Sequence, residues 1–381
     1  MHLTCQKNDI AAAVNTVRRS IATNSPIPAL KGILLTAEGK VLTLESTDTE
    51  LRISCTIPAE VMEEGSVLIP ASYFGDLIRL LSDEEVELKT IENGQAVQVN
   101  YTNSTVKFNC FDLEDYPVLK ERGDSPIFSI HPDVLSESIK QVSFAASKDF
   151  ARPILTGTLF DIKTPELMTL VATDSHRLTR KDVQINPIKE DIQPISAIIP
   201  SRALNELNRV ITGNTSDDEN VQVLVGISES KVFFKYGSTL IFSQLIDGQY
   251  PHYDEVIPSS ITTTVNCETA DLTSSLNRAS LIAHADMKGR IGGVVKKTVE
   301  DNQMKIYAQS QDVGEVKEII PIEKNGEDIE IAFNSRYLLD VLKAVDSQRI
   351  KIEYSGSLSP ALFKFEEEDN YLYLVLPIRI S

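Results

Sequence analysis

An internal repeat constrains this chain more than any other feature of its sequence. Each copy reads as a short apolar strand, a break at proline or asparagine, and then an amphipathic helix. The three copies occupy residues 67–81, 197–211 and 331–345. The breaks at Pro70, Pro200 and Asn334 suit the start of a helix, because the first N–H groups of a helix have no partner within it. The chain is therefore predicted to contain three copies of one large unit.

Each copy also contains a second helix and several short strands. Helix-like stretches open the three copies, at residues 9–21, 133–146 and 270–283. Between the helices, segments such as Val97-Gln98-Val99-Asn100 alternate apolar and polar residues, as strands of antiparallel hairpins do. Two helices and many strands within about 125 residues indicate an α+β domain, with a helix pair packed on antiparallel sheets. We predict three such domains, at residues 1–124, 125–258 and 259–381.

Charge is distributed unevenly between the helices and the rest of the chain. The net charge is −18, whereas the six predicted helices together carry +1, which leaves −19 for strands and loops. A solvated helical face with acidic hairpin tips is the simplest interpretation. The alternative is that the helical face is the only one that a polyanion such as DNA could approach. Without a dense basic patch, tight DNA binding is not expected, since affinity scales with the phosphates that are neutralised.

The remaining bulk features predict a cytoplasmic protein. No apolar run approaches the roughly 18 residues that cross a bilayer. The first residues contain no apolar segment of a secretory signal. The four cysteines lie far apart and are expected to be small buried side chains in a reducing compartment. They are Cys5, Cys55, Cys110 and Cys267.

No catalytic or metal-binding pattern is found in the sequence. Phosphate-binding glycine loops and paired zinc-ligand histidines are absent. Asp174, Ser175 and His176 are residue types of a serine triad, but neighbours in an extended segment point to opposite faces and cannot pair as nucleophile and base. The acidic run at 366–369 is interpreted as a solvated hairpin tip. We therefore expect no enzyme activity, no cofactor and no metal.

Four segments, in order along the chain, resemble the beta subunit family of bacterial DNA polymerase III. They are V-A-T-D-S-H-R-L at 171–178, D-G-Q-Y-P-H-Y at 247–253 followed by V-I-P at 256–258, F-N at 333–334 followed by Y-L-L-D-V-L at 337–342, and Y-L-V-L-P-I-R-I at 373–380. The resemblance covers the whole chain together with its threefold repeat. It implies a sliding clamp: a head-to-tail homodimer of six similar domains around duplex DNA, with the helices lining the hole. A ring that holds DNA by encirclement needs no strongly basic lining, and it would contact phosphates without reading bases.

The resemblance also implies a groove that binds short linear motifs of partner proteins. The expected partners are the replicative DNA polymerase, the clamp loader, repair polymerases and mismatch-repair proteins. Aliphatic side chains would line apolar slots, two prolines would fix the rim, and His176, Arg177 and Arg379 would supply polar anchors. The matched positions are Leu155, Thr173, Ser175, His176, Arg177, Leu178, Pro251, Val256, Leu374, Leu376, Pro377, Ile378 and Arg379.

Several positions depart from the family pattern, in the groove and among the positions that contact DNA, which are often arginine or tyrosine in the family. The glycine that is typical of the A-T-D-G-H-R-L segment is Ser175 here. Positions that contact DNA in the family fall on Asn24, Ser72, Lys148, Arg152, Pro153 and Ile154. Of these, Arg152 and Lys148 have chemistry suited to a phosphate. Candidates for the dimer contact are Phe108, Leu281 and Ile282. The competing hypothesis is a repeat-built interaction scaffold that does not encircle DNA.

Overall fold

The computed structural model describes residues 1–22, 24–82, 85–117, 125–189, 193–213, 221–284, 293–366 and 368–379. The predicted join between the first two domains and the acidic residues 217–219 lie outside these ranges. In the part of the first repeat that is described, the chain forms two α-helices and nine strands. They are β1 (His2–Gln6), α1 (Lys7–Val17), β2 (Gly32–Glu38), β3 (Val41–Thr47), β4 (Leu51–Pro58), β5 (Glu60–Glu63), β6 (Gly65–Pro70), α2 (Ala71–Leu80), β7 (Glu85–Ile91), β8 (Ala96–Tyr101) and β9 (Ser104–Asn109).

The second and third repeats follow the same order of elements. The second contains β10 (Phe128–Ile130), α3 (Pro132–Val142), β11 (Gly157–Thr164), β12 (Leu167–Thr173), β13 (Arg177–Gln184), β14 (Asn186–Pro187), β15 (Ile195–Pro200), α4 (Ser201–Gly213), β16 (Val223–Ile227), β17 (Lys231–Tyr236) and β18 (Thr239–Gln244). The third contains β19 (Thr263–Glu268), α5 (Thr269–Ala283), β20 (Val294–Glu300), β21 (Gln303–Ser310), β22 (Gly314–Pro321), β23 (Glu323–Gly326), β24 (Ile329–Asn334), α6 (Ser335–Ala344), β25 (Arg349–Tyr354), β26 (Ala361–Phe365) and β27 (Glu368–Val375).

The chain divides into two compact units, and each contains two antiparallel sheets. The first unit comprises Met1–Asp133, Asn186–Glu190 and Arg202–Leu245. Its sheets have the strand orders β5-β1-β7-β8-β9 and β14-β10-β16-β17-β18-β4-β3-β2-β6. In the larger sheet, β4 of the first repeat pairs with β18 of the second, with Cys55 opposite Thr239. The sheet is therefore continuous across two sequence repeats.

The second unit has the same plan. It comprises Val134–Ile185, Asp191–Ser201 and Ile246–Ser381. Its sheets have the orders β15-β11-β12-β13-β27-β26-β25-β19-β23 and β22-β21-β20-β24. Strand β27 shows why the sheet can be buried on both faces: Tyr373 and Val375 enter one apolar cluster, whereas Leu374, between them in sequence, enters another. Alternate residues of a strand point to opposite faces, so one strand supplies two cores.

The predicted fold class and the six predicted helices are confirmed. The helix starts follow the predicted chemistry, since Pro70 and Pro200 directly precede α2 and α4. Asn334 caps α6, because its side chain accepts a hydrogen bond from the Arg336 N–H at 3.0 Å. One local interpretation was wrong: Glu368 of the acidic run is not in a solvated tip. It begins β27 and pairs with the buried Lys181 at 3.0 Å.

Candidate functional site

The predicted groove residues gather around one seam in the nine-stranded sheet of the second unit. There β13 of the second repeat pairs with β27 of the third, with Arg177 opposite Val375 and Leu178 opposite Leu374. The two paired strands therefore come from different sequence repeats. A site at this seam is therefore built from two domains of the sequence.

The floor of the site is an apolar cluster on one face of this sheet. Leu178 and Leu374 are buried in it together with Tyr250 and Tyr253, and Ile154 packs against it while half-buried. The cluster consists of Leu159, Val171, Leu178, Ile198, Tyr250, Tyr253, Leu362 and Leu374. Of the predicted groove residues, Leu155 is also buried, in a 3-10 turn at Pro153–Thr156. These residues give the site a floor of aliphatic and aromatic side chains.

The rim carries apolar side chains that the fold leaves in solvent. Val256 ends a 3-10 turn, Tyr253–Val256, and is exposed although Tyr253 and Ile257 beside it pack into the cluster. Leu376 follows β27 and is 38% exposed. Pro251 is exposed as well. Exposed aliphatic groups that adjoin residues of a buried apolar cluster are a feature of binding grooves.

The C-terminal tail is held in place by backbone hydrogen bonds. The Leu376 N–H donates to the His176 carbonyl at 2.9 Å, and the Ile378 N–H donates to the Ala332 carbonyl at 2.8 Å. Pro377 and Ile378 are half-buried, whereas Arg379 is exposed. The tail therefore runs along a fixed path past the seam, with Leu376 and Arg379 available to a ligand.

A tight turn at residues 173–177, here called the rim turn, connects β12 to β13. Thr173 Oγ1 accepts from the Ser175 N–H at 3.2 Å and donates to the Arg177 carbonyl at 2.6 Å. Asp174 Oδ1 accepts from the N–H groups of His176 and Arg177 at 3.0 and 3.1 Å. Ser175 has a φ of +73°, which explains why glycine is typical there in the family. The segment is a turn and not the extended stretch that the sequence suggested.

Arg177 differs most from its predicted role. Its side chain is 9% exposed, and its guanidinium lies 4.5 Å from the ring centre of Tyr337 and 5.3 Å from that of Phe144. Nε donates to Asp174 at 3.0 Å, Nη1 to Asp340 at 2.6 Å, and Nη2 to the Phe144 carbonyl at 3.0 Å. Burial acts to lower its pKa, but Tyr373, Asp340 and Asp174 outweigh it, so the net shift is upward. The expectation that Arg177 is a free polar anchor does not fit these contacts, and His176 and Arg379 are the exposed candidates.

His176 and the far end of the cluster complete the polar surroundings. The His176 ring stacks on Tyr337 at 6.3 Å with an interplanar angle of 20°. At the other end, Tyr253 donates to Asp161 at 2.8 Å and accepts from Lys163 at 3.2 Å. Burial, with the Asp161 hydrogen bond, raises the pKa of Tyr253 to about 12, so its hydroxyl keeps its proton. The sequence reasoning missed Tyr253 and Tyr337, although both lie in the quoted motifs.

Comparison with known proteins identifies the family. Models of the N-terminal, central and C-terminal domains of the DNA polymerase III beta subunit match residues 1–120, 129–252 and 254–379. The beta sliding clamp of Staphylococcus epidermidis is 30% identical over 390 residues, which cover 100% of this chain and 99% of that one. The chain belongs to the DNA polymerase III beta sliding clamp family. The beta sliding clamp of Halalkalibacterium halodurans is 29% identical over 389 residues, with both chains covered completely.

Solved clamp structures share the fold over the full length. The Bacillus subtilis sliding clamp has a TM-score of 0.92 at 28% identity, with both chains fully covered. A Pseudomonas aeruginosa clamp that was crystallised with griselimycin has a TM-score of 0.91 at 26% identity, again with complete coverage. The findings support a sliding clamp over the alternative of a repeat-built scaffold. The three-domain clamp organisation is confirmed; the domain boundaries at 124 and 258 stay a prediction.

The candidate DNA-contacting residues of this clamp family member fall into two sets. Asn24 and Ser72, in the first unit, are exposed. In the second unit Lys148, Arg152 and Pro153 are exposed, whereas Ile154 packs on the groove cluster. Arg152 Nη1 donates to Ser175 Oγ at 3.1 Å, so this arginine touches the rim turn.

Basic residues on and beside the helices of the first unit have acidic partners. Arg18 and Arg79 lie 3.4 and 3.7 Å from Asp76. Arg19 and Arg209 lie 3.6 and 2.8 Å from Glu206. This pairing agrees with the predicted near-neutral helices.

The candidate dimer residues lie beside open sheet edges. Phe108 is on β9, the outermost strand of its sheet, and packs edge-on against Phe74 at 6.1 Å. On α5, which packs against β21 and β22, Leu281 is 76% exposed and Ile282 half-buried. The sequence reasoning missed Tyr73 and Leu80, exposed apolar residues of α2 that lie seven positions apart and hence on one helix face.

The described part of the chain offers neither a cluster of metal ligands nor a membrane-spanning helix. It contains no group of three or more His, Cys, Asp or Glu side chains placed to hold a metal ion. It also contains no helix that is long and apolar enough to cross a membrane.

Proposed function

We propose that two copies of this chain close head to tail around duplex DNA, and that the groove at the seam binds short peptide segments of partner proteins. The expected partners are the replicative polymerase, the clamp loader, repair polymerases and mismatch-repair proteins. The observation that carries the proposal is that the predicted residues meet at one seam: Leu178 and Leu374 are buried in one apolar cluster, Leu376 and Val256 follow cluster residues and are exposed, and hydrogen bonds fix the neighbouring turn. In this role the chain binds and tethers, and catalysis belongs to the partner.

The groove favours an extended peptide with large apolar side chains. Such a peptide would bury one or two aliphatic or aromatic residues against the floor, and would meet His176 and Arg379 at the edge. Each fully buried leucine-sized side chain contributes about 1.5–3 kcal/mol. A few such residues, ordered on a preformed site, support micromolar binding of a short segment.

Closure of a ring is supported by two sheet edges with similar surroundings. β9 is the outer strand of the five-stranded sheet in the first unit, and β22 is the outer strand of the four-stranded sheet in the second unit. Each edge lies beside a helix with exposed apolar residues, Tyr73 and Leu80 on α2 and Leu281 on α5. Unpaired edges readily add a strand from another chain. A heterologous contact between two such edges closes after two copies when the rotation permits it.

Binding to DNA is expected to be weak and independent of base sequence. Lys148 and Arg152 are exposed and positively charged, and the helix arginines of the first unit are paired with acids. Affinity for DNA depends on the number of phosphates that cations neutralise. Arginines that are already paired with carboxylates neutralise few phosphates, so the ring would stay on DNA by encirclement and would slide along it.

The peptide groove is tested by replacing Leu376 with alanine. The probes are griselimycin, which a Pseudomonas aeruginosa clamp binds in its crystal structure, and a labelled pentapeptide that contains two leucines and a phenylalanine. Removing a central apolar contact costs about 2 kcal/mol, so Leu376→Ala should weaken binding of both probes by more than about tenfold. Leu113→Ala is the matched control, because Leu113 is a leucine of similar exposure, 40% against 38%, in the other unit. Equal affinity of wild type and Leu376→Ala, measured by isothermal titration calorimetry, would refute the groove.

The ring is tested by sedimentation and by retention on DNA. After loading by a clamp loader, the protein should stay on nicked circular DNA and leave linear DNA by sliding off its ends. Leu281→Asp should give monomers that are not retained. Leu358→Asp, at a 67% exposed residue between β25 and β26 of the nine-stranded sheet, should remain a dimer. A wild-type chain that sediments as a monomer and is never retained on circles would overturn the ring.

A further inference from the structure

We infer that Asp340 on α6 is a positioning residue for the groove, and that it acts through Arg177. The inference rests on the proposed peptide-binding function and deepens it. Asp340 itself has no role as a ligand of the peptide in this proposal. It holds the rim turn in the conformation that presents His176 and Leu376.

Arg177 ties three separate elements together. It is the first residue of β13, and its guanidinium contacts Asp174 in the rim turn, Asp340 on α6 and the carbonyl of Phe144 after α3. The contact with Asp340 is the shortest of the three, at 2.6 Å. Charged hydrogen bonds of this length are about twice as strong as neutral ones. The buried guanidinium therefore depends on a carboxylate that comes from another sequence repeat.

Helix α6 contacts the rim turn at a second point on the same face. Tyr337 and Asp340 lie three positions apart, which places them next to each other on the helix surface. Tyr337 stacks on the His176 ring at 6.3 Å and lies 4.5 Å from the Arg177 guanidinium. The helix thus contacts two neighbouring residues of the turn, one through charge and one through ring stacking.

The position of Leu376 depends on the same turn. Its N–H donates to the His176 carbonyl at 2.9 Å, so a shift of the turn moves the backbone that carries Leu376. Ser175 adds a constraint, because its φ of +73° is one that non-glycine residues adopt only when their surroundings impose it. Removing the Asp340 carboxylate leaves Arg177 with Asp174 as its only ion-pair partner in the described structure. The turn would then relax, and the groove would lose its preformed rim.

Single substitutions at Asp340 test the inference with the full-length protein. We expect Asp340→Ala to weaken binding of griselimycin and of the labelled pentapeptide by about tenfold, because residues of one hydrogen-bonded network are energetically coupled. Asp340→Glu, which keeps the carboxylate, should restore affinity to within about threefold of wild type. Lys343→Ala, at an exposed position of the same helix, is the control and should change neither probe. Asp340→Asn serves in place of the alanine variant if that one does not fold.

A double-mutant cycle shows whether the effect passes through Arg177. In an Arg177→Met background, Asp340→Ala should change affinity by less than about twofold, because the partner is already gone. An equal loss in both backgrounds, or no loss from Asp340→Ala in wild type, would overturn the inference. Leu376→Ala separates this result from failure of the groove. If Leu376→Ala abolishes binding while Asp340→Ala is neutral, only the inference fails; if neither variant matters, the proposed function fails too.

Discussion

Two buried cations in the second unit have opposite surroundings. Arg177, at the groove, has an acceptor for each of its three nitrogens and lies against the rings of Phe144 and Tyr337. Lys297, on β20, is fully buried 5.8 and 5.5 Å from the ring centres of Phe333 and Phe363. Its Nζ has no hydrogen-bond partner among the residues that the structure describes. The pKa of Arg177 is raised above its ordinary value, whereas burial lowers the pKa of Lys297 from 10.5 to about 8.

The two cations therefore differ in energetic role. Arg177 is stabilised by its acceptors and connects the elements of a site, whereas the burial of Lys297 costs free energy that no partner in the described structure offsets. A buried ion pair with satisfied donors is strongly destabilised when one member is removed, because the other charge is left uncompensated. A buried cation without a carboxylate instead gives up its proton when pH allows, since desolvation penalises only the charged form. Replacing the cation with methionine should therefore lower the free energy of unfolding at Arg177 and raise it at Lys297.

The largest effect is expected for Arg177→Met. It removes the cation that Asp174 and Asp340 share, and it leaves both carboxylates without their partner in a partly buried place. We expect a loss of about 3–5 kcal/mol in the free energy of unfolding of the second unit. Urea denaturation followed by circular dichroism measures it. Arg336→Met, at an exposed arginine of α6, should stay within about 0.5 kcal/mol of wild type. A loss at Arg177 no larger than that of the control would contradict the contrast.

Lys297→Met should instead stabilise the protein at neutral pH. Below pH 8 the lysine is charged in both the folded and the unfolded chain, and its burial costs free energy. Between the folded pKa of about 8 and the ordinary value of 10.5, the folded chain has lost the proton while the unfolded chain keeps it, so stability rises with pH. The total rise is on the order of 3 kcal/mol, from 1.36 kcal/mol per unit of pKa.

The measurement is urea denaturation of wild type and Lys297→Met from pH 7 to 10.5. Methionine removes the titration, so the variant should be more stable by about 1–4 kcal/mol at pH 7, and this advantage should shrink as pH rises. Taking the difference between the two proteins cancels the titration of residues that do not interact with Lys297. Cys267 does interact with it, but burial raises the pKa of that thiol to about 11, above the range measured. Lys296→Met, at the neighbouring residue whose side chain pairs with Glu330 at 2.7 Å on the other face of β20, should show no such trend. A constant difference across the pH range would show that Lys297 is not a titrating buried amine.

The surroundings of these two cations could not be predicted from local sequence, unlike other features of the structure. The threefold repeat and the helix starts at Pro70, Pro200 and Asn334 follow from local chemistry, and they were predictable. At Lys296-Lys297, alternation in a strand requires that one lysine points inward. Local sequence does not say which, because the answer depends on the register of β20 against β21 and β24.

The groove, too, could be predicted from the sequence only in part. Motif resemblance named the floor and the tail, because Leu178, Leu374 and Leu376 lie within the matched segments. It did not reveal that Arg177 is buried, because the groups that bury it come from α6 and from the end of α3, far away in sequence. Pairing of β13 with β27 is a long-range contact between repeats, and no local pattern specifies it.

The smallest predicted effect concerns the turn that Arg177 holds. Ser175 adopts a φ of +73°, which costs a non-glycine residue about 1–2 kcal/mol. Glycine removes this cost, but it gains more freedom in the unfolded chain, which offsets about 0.5–1 kcal/mol. It also loses the exposed hydrogen bond from Arg152 to Ser175 Oγ. We expect Ser175→Gly to raise the free energy of unfolding by roughly 0.5 kcal/mol, measured by urea denaturation. Ser72→Gly, at an exposed position in the first turn of α2, should lower it by up to about the same amount, because glycine is the poorer helix former. If both substitutions destabilise, the turn at Ser175 carries no strain, and the contacts of Arg177 need not impose it.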